Sequence, residues 1–102
     1  MLSKNEYLLI CLIEELSEVQ QELSKCLRFS LNHMPEVYDT TNAKRAALEF
    51  ADVFAIIELL EAEGIAFIDF NNDSFFNRVK DKKKRTLKYM EESRKMKILE
   101  KD

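Results

Sequence analysis

Gly64 and Pro35 are the only glycine and the only proline in 102 residues. Positive-φ turns and rigid bends draw on these two residue types. A chain nearly devoid of them has few places to reverse and must run in long elements. Between the breaks, apolar side chains recur at three- and four-residue steps, the period of an α-helix. The chain is therefore expected to be all-α: an antiparallel helical bundle of three long helices plus a short connecting segment.

The first helix is expected from about Ser3 or Asn5 to about Phe29, with Leu9, Leu12, Leu16, Val19, Leu23 and Leu27 as its apolar stripe. Ser3 and Glu6 have the spacing of a capping box. The segment from Ser30 to Thr41 breaks the period, contains Asn32, Pro35 and Asp39, and reads as a loop. Thr40 or Thr41 caps the second helix, which runs to about Glu63 and stops at Gly64. Its stripe is Ala46, Phe50, Val53, Ile56, Ile57 and Leu60. Ile65 to Phe70 is either one turn or an extended stretch. Asn71, Asn72 and Asp73 are N-cap candidates for a last helix from about Ser74 into the 90s, with Phe76, Val79, Leu87 and Met90 facing inward. Beyond Ser93 charges dominate and the tail is expected to fray. With no internal repeat and no long linker, residues 1–102 read as a single domain.

So few helices leave a large surface for their volume, so a second subunit is expected to complete the core. No run of eighteen apolar residues is present, and no membrane span is expected. The apolar patch from Tyr7 to Ile13 leads straight into Glu14 and Glu15 without a small-residue cleavage site, unlike a signal peptide. Cys11 and Cys26 fit a reducing cytoplasm as small apolar residues. The net charge of −3 conceals an asymmetry: residues 1–73 carry 14 acidic and 5 basic side chains, residues 74–102 carry 5 acidic and 11 basic. An acidic helix pair beside a basic helix can hold a cation and a polyphosphate together, or the charges are simply compensating solvated faces.

Two carboxylate sets stand out: Glu14-Glu15-Leu16-Ser17-Glu18 and Glu49-Phe50-Ala51-Asp52. At three-residue spacing, both members of a pair lie on one helix face. At about 100° per residue, Glu15, Glu18 and Glu22 flank the first apolar stripe while Glu14 turns to solvent. Glu49 projects into the arc of Ala46, Phe50, Val53, Ile56 and Leu60, with Asp52 at its edge. An ionised carboxylate on an apolar face is costly unless it is paired or bound to metal. Two readings stand for Glu49: a divalent-cation site built of hard oxygen ligands, or a buried salt bridge to Lys or Arg.

At these residues the chain resembles the all-α nucleoside triphosphate pyrophosphohydrolases, the superfamily of MazG and the dimeric dUTPases. The family signature is E-E-x-x-E on one helix and E-x-x-D on the next. The stretch around Lys25, Arg28 and Phe29 is similar to small phage and bacterial members. The similarity spans both helices and the order of elements. The connection between the motif halves is on the long side, and the lysine-rich last helix lacks a basic motif that aligns. The resemblance implies hydrolysis of a (deoxy)nucleoside triphosphate between the α- and β-phosphates, giving a monophosphate and pyrophosphate. It implies Mg2+, with Mn2+ as a substitute, held by Glu15, Glu18, Glu49 and Asp52, which are also the catalytic residues. Glu14 and Glu22 are at best supporting groups around that set. It further implies a homodimer or homotetramer in the cytoplasm, the host's if the chain is phage-encoded.

Arg28, Lys80 and Lys83 are the substrate-binding candidates. Lys83 falls on the expected inner stripe with Phe76, Val79 and Met90. Runs such as Lys82-Lys83-Lys84-Arg85 are otherwise solvated faces, and Arg28 equally complements a helix C-terminus. Asn32 and His33 are loop candidates for base or sugar contact. Phe29, Phe50, Phe54 and Tyr89 either stack on a base or belong to the core. No Gly-rich phosphate loop and no Cys/His metal spacing occurs. The alternatives are a non-enzymatic helical interaction protein and a nucleotide sensor on the same fold. A nucleic-acid binder using residues 78–88 is disfavoured, because the acidic remainder repels a phosphate backbone.

Overall fold

The computed structural model describes all 102 residues and contains three α-helices and no strand: α1 (Lys4–Phe29), α2 (Asn42–Ala62) and α3 (Asp73–Lys95). No helix is long and apolar enough to cross a membrane. The chain divides into two compact units, Met1–Phe67 and Ile68–Asp102.

In the first unit α1 and α2 pack as an antiparallel pair. The start of α1 meets the end of α2 through the Lys4–Glu63 ion pair. The expected capping box opens α1: Ser3 Oγ accepts from the Glu6 amide at 3.1 Å, and the Ser3 amide donates to Glu6 Oε1 at 3.2 Å. Thr41 caps α2, its Oγ1 accepting from the Lys44 amide. The loop supplies the other acceptors at this end, because the Asn42 amide donates to the His33 carbonyl and the Ala43 amide to the Leu31 carbonyl. The four orphan N–H groups of a helix start need such partners, and here they tie the loop onto α2. At the far end Gly64, at φ +90, closes a Schellman turn in which Ile65 N–H donates to Leu60 and Gly64 N–H to Glu61.

The buried seam between the two helices is narrow. It comprises Leu8, Val19 and Cys26 on α1 and Ala46, Val53 and Leu60 on α2, with Glu22 and Asn42 as its buried polar members. The expected stripes were broader. Leu9, Leu16, Leu23 and Leu27 on α1 and Phe50 on α2 are exposed, and Leu12, Ile56 and Ile57 are half-buried. One partner helix covers only a strip of each cylinder, so side chains one step off the seam stay on the surface. Leu60, fully buried, is the best-packed apolar side chain.

The second unit is built on α3. Asn72 caps it, with Oδ1 accepting from the Ser74 amide at 2.9 Å. Asp69 Oδ1 accepts from the Asn71 amide in the turn before it. The segment from Ile65 to Phe70 is neither helix nor strand. Phe75 and Phe76 meet edge to face, and Phe70 lies 6.3 Å from Phe76 between ring centroids. Past Lys95 the chain turns at Lys97, at φ 61, and the Ile98 amide donates back to Ser93. The inward stripe expected here is corrected: α3 has no buried residue, Phe76, Val79 and Leu87 are exposed, and Met90 is half-buried. This unit holds no second helix to bury the stripe.

Candidate metal centre

The register of the α1–α2 pair decides the site. Moving along α1 from Glu15 to Glu18 to Glu22 takes steps of three and four residues. Moving back along α2 from Asp52 to Glu49 to Arg45 takes the same steps. Antiparallel packing therefore sets the two series opposite each other, carboxylate against carboxylate for two rungs and carboxylate against guanidinium on the third.

Glu15, Glu18 and Glu49 converge, with one carboxylate oxygen of each within 4.8 Å of the others. Glu15 and Glu49 are half-buried and Glu18 is exposed. Glu15 Oε2 and Glu49 Oε2 are shut off from water with no hydrogen-bond partner. Partial burial holds the Glu15 carboxyl above its ordinary value, and the negative charges of Glu18 and Asp52 push the same way. Burial also raises Glu49, and the close approach of Glu18 and the charges of Glu18, Asp52 and Glu15 push the same way. The fourth expected ligand, Asp52, is near enough for its charge to act on both, but it is exposed and stands outside the convergent trio. Its side chain is one methylene shorter than a glutamate's. Glu14 is exposed, as its position around α1 requires.

Three carboxylates crowded together repel unless protonated or neutralised. The donor set is all hard oxygen, which suits Mg2+ or Mn2+ rather than a thiophilic ion. The orphaned buried oxygens of Glu15 and Glu49 are the atoms a cation would satisfy. The residues present therefore fit the metal that the sequence led us to expect.

The third rung was not anticipated. Glu22 is 5% exposed. Arg45 donates to it twice, Nε to Oε2 at 3.3 Å and a terminal nitrogen to Oε1 at 3.1 Å, and Lys25 Nζ donates to Oε1 at 3.2 Å. Burial alone would raise the Glu22 carboxyl, but the hydrogen bonds and charges of Arg45 and Lys25 outweigh it and hold it below its ordinary value. The Arg45 guanidinium also lies 3.5 Å from the centre of the Tyr38 ring. The buried salt bridge weighed for Glu49 thus belongs to Glu22, one turn along. The signal for it was Arg45 standing four residues before Glu49, just as Glu22 stands four after Glu18.

Of the other candidates, Arg28 lies in the last turn of α1, exposed, with its guanidinium 5.0 Å from the Phe29 ring centre. It borders a polar surface groove with Ser17, Gln20, Gln21, Ser24 and Lys25. Lys80 and Lys83 belong to the second unit and are exposed, so the inward placement of Lys83 is corrected together with its stripe. Phe50, Phe54 and Tyr89 are also exposed rather than core. His33 and Phe29 line a cleft of about 260 Å³ at the loop end of the helix pair, with Lys25, Pro35, Tyr38 and Asn42.

Comparison with known protein families, with curated proteins and with solved structures finds no match.

Proposed function

We propose that this chain is a metal-dependent nucleotide pyrophosphohydrolase of the MazG and dimeric dUTPase type, hydrolysing a (deoxy)nucleoside triphosphate to a monophosphate and pyrophosphate. The observation that carries the reading is the convergence of Glu15, Glu18 and Glu49 from two helices, in the order and spacing of the family signature. Glu15, Glu18 and Glu49 hold Mg2+, with Asp52 beside them adding negative charge. A bound divalent cation neutralises phosphate charge and lowers the pKa of the attacking water. The protein's part is to keep the carboxylates in register, and the Glu22–Arg45 pair next to them does so. Arg28, exposed in the last turn of α1, supplies positive charge for the phosphates.

The same proposal makes the working form a homodimer or homotetramer with a bundle completed between copies. Tyr7, Ile13 and Leu27 on α1 and Leu87 and Tyr89 on α3 are exposed, and water-exposed apolar area on this scale in a small chain favours association. That exposed surface also suits the rival, a helical interaction or sensor protein that binds without turnover.

The deciding experiment is pyrophosphate release from a panel of ordinary and modified (deoxy)nucleoside triphosphates, with Mg2+ and then with EDTA. Release that requires the metal establishes the reaction. No release from folded, oligomeric protein moves the assignment to the sensor or interaction reading.

A further inference from the structure

The loop end of the α1–α2 pair holds the only nearly fully buried polar side chain outside the Glu22 ion pair. Asn42 is 1% exposed. Its Nδ2 donates to the Ser30 carbonyl at 3.0 Å, and its backbone amide donates to the His33 carbonyl. These two bonds hold the side chain in place. Its Oδ1 has no partner. Buried acceptors are seldom left unmade, because the lost hydration is not recovered.

Asn42 also lines the cleft formed with Lys25, Phe29, His33, Pro35 and Tyr38. Three of its six lining residues, Phe29, His33 and Tyr38, are aromatic. Phe29 is 54% exposed, with His33 ring-to-ring at 6.0 Å. One face of Tyr38 is occupied by Arg45. Arg28 lies farther from the Phe29 ring, 5.0 Å from its centre, so Phe29 offers the more open aromatic surface. Flat rings flanking a lone acceptor suit a planar heterocycle that carries an N–H group.

The cleft has a fixed relation to the carboxylates. Lys25 lies seven residues after Glu18 on α1, and Asn42 lies seven before Glu49 on α2. Both helices thus set the cleft two turns, roughly 10 Å, along the pair from the acidic trio. The Glu22–Arg45 pair occupies the rung between them, with Lys25 bonded to Glu22 and also lining the cleft.

We propose that this cleft takes the base of the nucleotide, stacked against Phe29, with an N–H of the base donating to Asn42 Oδ1. The inference rests on the proposed function for the identity of the ligand, and it assigns base recognition to residues within one chain, outside the carboxylate motif.

The test uses the full chain, followed by 15N–1H NMR without metal. Deoxycytidine, deoxyuridine and deoxyadenosine at millimolar concentration are added in EDTA. The expected result is a shift of the Asn42 side-chain amide and of His33. A pyrimidin-2-one nucleoside, whose ring carries neither an amino nor an imino hydrogen, should bind at least about five-fold more weakly than deoxycytidine. Phe29→Ala should weaken nucleoside binding by at least about five-fold, the lower end for removing a stacked aromatic. His33→Ala, in the exposed loop, serves the same purpose if the first variant loses helicity. Nucleosides that leave the Asn42 amide unmoved overturn the proposal, as does equal binding of the pyrimidin-2-one nucleoside. Mg2+ with inorganic tripolyphosphate separates the two ideas. If that mixture shifts Glu15, Glu18 and Glu49 while nucleosides do nothing, the base cleft fails and the metal site stands. If nucleosides shift Asn42 but no triphosphate is hydrolysed, the cleft stands as a nucleoside site and the enzymatic reading fails.

Discussion

Arg45 on α2 embraces the Glu22 carboxylate on α1 with two hydrogen bonds, one turn away from three carboxylates that have no such partner. This rung shares the register of the α1–α2 pair that brings Glu15, Glu18 and Glu49 together.

Breaking this pair from one side should be costly. Glu22→Ala leaves the Arg45 guanidinium largely buried without its acceptor, and destabilisation of about 3 kcal/mol is expected. Replacing both, as Glu22→Leu with Arg45→Met, should recover most of that loss, since a buried ion pair can give way to apolar packing. Urea unfolding of the two single variants and the double variant measures it. A single-variant loss below about 0.5 kcal/mol would reduce the pair to a surface contact.

The pH dependence has two arms of opposite sign. Glu22 is held below its ordinary value of about 4.3, so its contribution is present above that value and is lost as pH falls through the lowered native one. Glu15 and Glu49 are held above it, so the metal-free protein loses stability as pH rises through their raised native values. Thermal melts in EDTA across pH 3–8 should therefore show a maximum at mildly acid pH. A monotonic rise to pH 8 would contradict the raised carboxyls.

Glu49→Gln isolates the second arm. The neutral amide keeps the volume and removes one charge from the trio. In EDTA at neutral pH this variant should melt higher than the parent, because the repulsion is relieved. With Mg2+ the order should invert: a ligand at one hundred times its dissociation constant adds about 2.7 kcal/mol to the parent, and the variant should gain little. Turnover of any triphosphate should be abolished. Equal Mg2+ stabilisation of both proteins would remove Glu49 from the metal site.

Ser30 ends α1 at φ 85 and ψ 155, a region that only glycine occupies without strain. The Asn42 side chain, donating to its carbonyl, helps hold it there. Ser30→Gly should relieve that strain and stabilise the protein by about 1 kcal/mol, readable as a higher melting temperature. Destabilisation would mean that the Ser30 side chain does more than tolerate its backbone.

Leu60→Ala should cost about 2–5 kcal/mol, since Leu60 is fully buried at the end of the seam. Leu87→Ala, on the exposed face of α3, should fall within about 0.5 kcal/mol in the isolated chain. A larger loss for Leu87→Ala, growing with protein concentration, would show that the face is covered by another copy.

The helices themselves were legible from local rules. Ser3 and Glu6 mark a capping box, Thr41 a cap, and Gly64 the one residue able to turn at φ +90 without penalty. The two carboxylate sets were legible because the spacing within each, Glu15 to Glu18 and Glu49 to Asp52, is helical and local. Burial was not. A stripe of leucines states which way a helix is apolar, but not how much of that stripe a neighbour covers, so Leu16, Leu23 and Phe76 read as core and stand exposed. Glu22 was misplaced for the complementary reason: its partner lies 23 residues away, and only the register between two helices makes them meet.

The sequence alone determined that the chain is helical, where its helices begin and end, and that acidic side chains share a face, because these depend on interactions within a few residues. The tertiary structure alone decided which carboxylates converge, which one is neutralised by Arg45, and that Asn42 is sealed beside an aromatic cleft. Those outcomes depend on the rotation and register of one helix against another, which are set by the packed seam as a whole and are written in no single stretch of the chain.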